Sequence, residues 1–219
     1  MPGLSGIREA TRRVVCSSNL RQQGLGLAMY ADDNKGALAP SNYSSASRAT
    51  STSGSGPTSG LGVVDNSSQQ TVLARDGDSN SWDGLGWLFT GEYLPASGVF
   101  YCPSHHGDYP FRVEAPLWIT PTGEIVTNYQ YRGGDSFGSA LFSDQTALIT
   151  DAMRTVDEFN HVVGANVLRR DLTVSWYADK GGLILQSLPN SVQQLDAGSR
   201  VDDAWKRLDS SNNPTSSAQ

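Results

Sequence analysis

The chain has 219 residues, 37% of them hydrophobic, with five Trp and eight Tyr, which is enough apolar material for one packed domain. Its net charge of −6, with no basic stripe to offset phosphate repulsion, excludes nucleic acid as a partner. No run approaches the roughly 18 apolar residues needed to cross a bilayer, and Met1 to Thr11 lacks the apolar core of a secretory signal peptide.

The first expected element is one helix over residues 4–33, with Pro2 suited to its start and Gly36 to its end. At helical spacing, Cys16, Leu20, Gly24, Leu27 and Ala31 share a face, while Ile7, Val14 and Leu25 lie nearly opposite. One domain covers only one of these stripes. The second, to which Leu4 is also assigned, is expected to meet neighbouring helices in an assembly. Arg8, Glu9, Arg12 and Arg13 give the first half of the helix a polar, stalk-like surface. Gly24 and Gly26 each cost about 1 kcal/mol of helix propensity relative to Ala, so a sheet is expected to approach the helix backbone closely there.

Residues 41–60 are rich in Ser, Gly and Thr and read as a mobile surface loop, extending to about residue 81. Near its end Asp76, Asp78 and Asn80 have the D-x-D-x-N spacing of a calcium loop, and Asp83 follows. Hard oxygen ligands at alternate positions suit Ca²⁺. Ser81 at the sixth position and Trp87 at the twelfth exclude an EF-hand, and Asx turns in a solvated loop are the alternative. Residues 82–94 have the spacing of a short helix, and Val99 to Cys102 reads as a strand stopped by Pro103. His105, His106 and Asp108 follow. Adjacent histidines point apart, so a metal site there needs distant ligands. Trp82, Trp87 and Trp118 are read as core or subunit packing, with a sugar-binding platform as the alternative.

The remainder is β-rich. Ile125 to Tyr131 alternates, Ala147 to Thr150 is a short apolar run, and residues 163–168 and 172–177 form a hairpin with one buried face. Gly182 to Gln186 is a candidate strand, Arg200 to Leu208 a short amphipathic helix, and residues 209–219 a disordered tail. A long helix followed by an antiparallel sheet makes an α+β fold.

Three blocks carry a family resemblance: ATRRVVCSSNLRQQGLGLAMYADDNKG from Ala10, LGWLFTGEYLPASGVFYCPSHH from Leu85, and NHVVGANVLRRDLTVSWYADKG from Asn160. In this order they resemble the type IV pilin-like pseudopilins of type II secretion systems, in their planctomycete-type branch. That branch ends in a His, nine residues, then Asp-Gly. His161 and Asp171 occupy this signature, but Leu172 stands where the family has Gly. Asp-Gly suits a tight turn with positive φ, so here the turn is expected to slide onto Arg169-Arg170 or to lengthen. His161 and Asp171 are expected at opposite ends of paired strands, with His161 capping a strand or bonding a loop carbonyl. No Ser or Cys nucleophile stands in a defined relation to them, which disfavours a hydrolase.

The resemblance implies a helical spine over residues 1–35 packed across the sheet of a globular part over residues 36–208. It also implies an apolar anchor upstream of Met1, so that the chain is the soluble part of a membrane-anchored precursor; a protein that starts at Met1 is the other reading. In the oxidising compartment it implies, Cys16 and Cys102 are expected to pair, two free thiols being the alternative. The implied function is structural: a periplasmic or cell-surface filament subunit without enzymatic activity, whose partners are other pseudopilins and inner-membrane secretion components. Contact with the membrane runs only through the missing segment, and the soluble piece is expected to be a monomer or weak oligomer. Major pseudopilins bind Ca²⁺, but no motif of theirs transfers to these residues. The alternative function is an extracellular carbohydrate- or protein-binding module.

Overall fold

The computed structural model of the chain describes residues 4–41, 72–74, 82–119, 124–133 and 145–211. Helix α1, Leu4–Asp33, is continuous through Gly24 and Gly26. No described helix is long and apolar enough to cross a membrane. A Cβ added to Gly24 would meet Leu168 Cδ1 at 3.0 Å, and one on Gly26 would meet Leu88 Cδ1 at 3.3 Å. The two glycines therefore admit different neighbours: Gly24 the sheet, and Gly26 the segment of helix α2, Gly86–Thr90.

The main sheet is antiparallel, with strand order β3 (Tyr129–Tyr131), β4 (Ala147–Asp151), β5 (Gly164–Arg169), β6 (Val174–Ala178). A separate two-stranded ladder joins β1, Val72–Ala74, to β2, Ile125–Val126. The expected single strand over Ile125 to Tyr131 is thus divided at Thr127 and Asn128, whose side chains bond the neighbouring segment: Thr127 Oγ1 donates to Phe100 O, and Asn128 Oδ1 accepts from Cys102 N at 2.5 Å.

That neighbouring segment is not a strand. Ser97–Phe100 is a 3₁₀ turn, and side chains rather than a ladder satisfy its backbone. Gln23 Nε2 donates to Val99 O at 2.8 Å and Asn19 Nδ2 to Tyr101 O at 3.1 Å. Two buried amides on the inner face of α1 replace strand pairing.

Of the hairpin's two strands, β5 is buried on both faces rather than one, while β6 mixes half-buried and exposed residues. Every residue of β5 is buried. Leu168 and Ile149 pack with Cys16, Leu20 and Leu27 of α1 on one side. Ala165 and Val167 pack with Val201, Ala204, Trp205 and Leu208 on the other. These last residues belong to α5, Ala197–Ser210, which is longer than the expected residues 200–208. Arg169, 1% exposed, donates to Leu208 O at its C-terminal end, where the helix dipole favours a cation. Asp209 binds Arg132 Nη2 and Ala147 N, tying the helix to β4 and to the residue after β3. The result is an α+β, pilin-like arrangement with an extra helical layer. Residues 183–187 form helix α4, not a strand. Gly182 at φ 68° turns the chain, and Asp179 accepts the backbone N–H groups of Ile184 and Leu185. The helices α3, Phe111–Glu114, and a 3₁₀ turn, Ala115–Trp118, complete the described elements.

Candidate functional site

The inner stripe of α1 begins earlier than its apolar residues suggest. Glu9 and Arg13 precede Cys16 at helical spacing, and both are half-buried while their neighbours over residues 5–15 are exposed. They reach the body together. Arg13 stacks its guanidinium 4.4 Å over the Trp176 ring. Glu9 accepts from Ser104 Oγ at 2.9 Å and meets His161 Nδ1 at 2.5 Å. The expected polar stalk is therefore anchored on one side.

His161, 3% exposed, sits in the turn before β5. Its partners are carboxylates, not a loop carbonyl. Nδ1 faces Glu9; Nε2 lies 3.4 Å from Asp151 Oδ2 and 3.5 Å from Cys102 Sγ. The edge of Trp176 closes the site at 5.6 Å between ring centroids. A Cβ on Gly164 would fall 2.5 Å from that indole, so glycine is what lets the ring approach β5.

Asp151 ends β4 with no exposed surface. Its Oδ2 accepts from Asn166 N at 2.6 Å and Asn166 Nδ2 at 3.1 Å, while Oδ1 has no hydrogen-bond partner among the described residues. Desolvation pushes its carboxyl up to about 6, against the opposing pull of His161 and Asn166. Burial also pushes Glu9 upward, but the bonds from His161 and Ser104 outweigh it and hold this carboxyl below its usual value. One imidazole thus bridges an easily ionised carboxylate on α1 and a reluctant one on β4.

Cys16 and Cys102 form the expected disulfide, with Cα atoms 5.3 Å apart. Cys16, Cys102, Asp151 and His161 place one ligand-type atom each within 4.8 Å of one another. Glu9, His161 and Cys102 follow the order of a carboxylate, a base and a sulfur nucleophile. That sulfur is bonded to Cys16 and is 4% exposed, so the arrangement offers no path to attack a substrate. What it does mechanically is join α1 covalently and electrostatically to the body at one level.

Asp171 lies apart, beyond the far end of β5, about 20 Å from its start at strand rise. It organises the hairpin turn, accepting from Thr173 N at 3.0 Å and Thr173 Oγ1 at 2.7 Å. The turn does not slide onto Arg169-Arg170; it is a three-residue loop, 170–172, the longer form of the two expected, and it keeps a positive φ. Arg169 N donates to Thr173 O, Leu172 N donates to Arg169 O, and Leu172 itself adopts φ 65° where the signature has glycine.

Of the calcium candidates, Asp76, Asp78 and Asn80 lie outside the described residues, and Asp83 is buried before α2. His105 bonds Asn160 Oδ1 and Asp108 O while His106 turns to Ser104 O, so the two histidines diverge. Trp118 stacks on Phe100 at 5.1 Å, with Trp82 and Phe89 beside it, all packed against the core rather than forming a platform. In the assembly set, Ile7, Val14 and Leu25 are 58%, 67% and 64% exposed, and of Leu4 only the backbone is described. The residues that sequence reasoning missed are Glu9, Asp151, Asn166, Asn19 and Gln23. For those on α1 the signal was present, since Glu9, Asn19 and Gln23 lie on the Cys16 stripe.

Residues 5–173 match the model of a family described as a protein of unknown function (DUF1559). No curated protein and no solved structure matches the chain.

Proposed function

Since the chain belongs to the DUF1559 family, we propose that it is a structural, pilin-like subunit of a filament that serves type II protein secretion. The family's association with pseudopilin-like secretion proteins supports this reading. The observation that carries it is the state of α1. Over residues 5–15 only Glu9 and Arg13 are half-buried, and both meet the body among the described residues, while Ile7 and Val14 stand exposed on the opposite side. A helix pinned at one level and uncovered beyond it is a spine that needs neighbours. In this reading the neighbours are the same helices of other subunits. An apolar anchor upstream of Met1 would hold the subunit in the inner membrane before assembly, with the body in the periplasm or at the cell surface. The subunit carries load and performs no reaction.

The test is a photo-crosslinking amino acid placed at Ile7 or Val14 of the full-length precursor, expressed with its secretion system. Crosslinks between copies from these positions, and none from the exposed Lys206, are expected. Equal crosslinking from all three, or none from Ile7 and Val14, would sink the proposal. The reading frame upstream of Met1 gives a second check: a prepilin cleavage site followed by a long apolar run is expected, and a secretory signal peptide would favour a binding module.

A further inference from the structure

We propose that, once the Cys16–Cys102 disulfide is reduced, Cys16, Cys102, His161 and Asp151 form a tetrahedral zinc site. Zinc binds thiolate sulfur at about 2.3 Å and imidazole or carboxylate atoms at about 2.0–2.2 Å, so tetrahedral angles put neighbouring ligand atoms about 3.3–3.8 Å apart. Cys102 Sγ and His161 Nε2 are 3.5 Å apart, and His161 Nε2 and Asp151 Oδ2 are 3.4 Å apart. Two edges of the tetrahedron are already at metal-bound length. The other edges to Cys16 Sγ and between Cys102 and Asp151 are no longer than 4.8 Å. The sulfur–sulfur edge is far too short, because the atoms are bonded, and reduction lets it open.

Three further features of the pocket suit the ion. His161 turns Nδ1 to Glu9 at 2.5 Å. Donation of the Nδ1 proton to a carboxylate leaves the Nε2 lone pair facing the sulfurs, which is the arrangement that orients histidine ligands toward zinc. Asp151 Oδ2, the oxygen at that edge, already accepts from Asn166, while its buried Oδ1 has no hydrogen-bond partner among the described residues, so the carboxylate as a whole keeps unspent acceptor capacity for a cation. The four ligands are 0–4% exposed and come from α1, the segment after the 3₁₀ turn at Phe100, the end of β4 and the turn before β5. A metal there would join the same parts that the disulfide joins, so disulfide and metal are alternative clamps that use the same two sulfurs.

The chemistry balances with a trialkylphosphine as reductant. The phosphine takes the place of one sulfur in the S–S bond, water then supplies oxygen to make the phosphine oxide, and two thiols result. Zinc displaces the two thiol protons to solvent. Because the site is closed in the folded protein, the ion enters during folding.

The experiment unfolds the full chain in guanidinium with the phosphine, refolds it anaerobically with one equivalent of Zn²⁺ or Co²⁺, removes free metal, and measures metal content and absorption. The reduced protein should retain close to one equivalent of zinc, and the cobalt form should show thiolate charge-transfer and tetrahedral d–d bands. The oxidised protein should retain none. Glu9→Gln should weaken zinc binding about 10–100-fold while keeping the charge-transfer bands, as the loss of a ligand's outer partner does. His161→Gln should lose the tetrahedral spectrum. Retention of less than a tenth of an equivalent by the reduced protein, an octahedral cobalt spectrum, a reduced chain that zinc does not help to fold, or binding indifferent to His161→Gln would each overturn the proposal.

Discussion

Asp151 is fully buried, and its raised carboxyl has a consequence for stability. A folded value of about 6 against an ordinary 3.8 means that the native protein holds an extra proton between these values, so the group subtracts stability as pH rises through that window. Glu9 acts in the opposite sense: its lowered carboxyl adds stability above its ordinary value of 4.5, which is lost as pH falls through the folded value. Asp151→Asn keeps an acceptor for Asn166 but removes the ionisation. Relative to the parent, this variant should therefore be more stable at pH 7 than at pH 4, by on the order of 2–3 kcal/mol in urea denaturation. An unchanged difference between the two pH values would refute the assignment. Leu172 is a second residue under constraint, since a left-handed conformation costs a non-glycine residue about 1–2 kcal/mol. Leu172→Ala and Leu172→Gly both lose the half-buried side chain that packs toward Gly24. The Gly variant should be more stable than the Ala variant by about 1 kcal/mol. Equal denaturation midpoints would show that the turn carries no such strain.

At the level of elements, helix α1 distinguishes its glycines. Nothing lies within 4 Å of a Cβ placed on Gly6, whereas one on Gly24 meets Leu168 at 3.0 Å. Gly6→Ala should raise stability by about 0.5–1 kcal/mol through helix propensity alone. Gly24→Ala should forfeit that gain and lower the melting temperature, because Leu168 is held between α1 and the sheet. A rise for both would show that the helix can move off the sheet. The disulfide closes a loop of 86 residues, and replacing both cysteines by Ala should cost about 2–5 kcal/mol. Loss of much less would mean that the Glu9–His161–Asp151 contacts carry the clamp by themselves.

For the whole molecule, the bare side of α1 is narrow. Ile7, Val14, Leu25 and Met29 are the large apolar residues exposed at more than half of their surface along it, and their area falls short of what a stable dimer buries. The 219-residue chain should therefore sediment as a monomer at micromolar concentration. A tight dimer would mean that this face is sufficient for assembly without an upstream segment.

The sequence by itself determined the elements whose signal is local and periodic. The stripe of α1, the hairpin and the amphipathic α5 follow from side chains that recur at the period of their own element, and one buried face per element is enough to specify them. The α+β class follows from their order. The pairing of Cys16 with Cys102 was legible through family likeness joined to the facing of one helix. Only the tertiary structure decided the rest. Val99 to Cys102 has strand-like residues, but Asn19, Gln23, Thr127 and Asn128 take its backbone bonds, and they come from as far as 82 residues away. β5 is buried twice because α5 returns to cover it. Glu9 looked like solvated stalk until His161, 152 residues later in the chain, met it. A polar side chain carries no periodic mark of its partner. Which carboxylate faces which imidazole is fixed by packing between elements, and no short window of sequence contains that information.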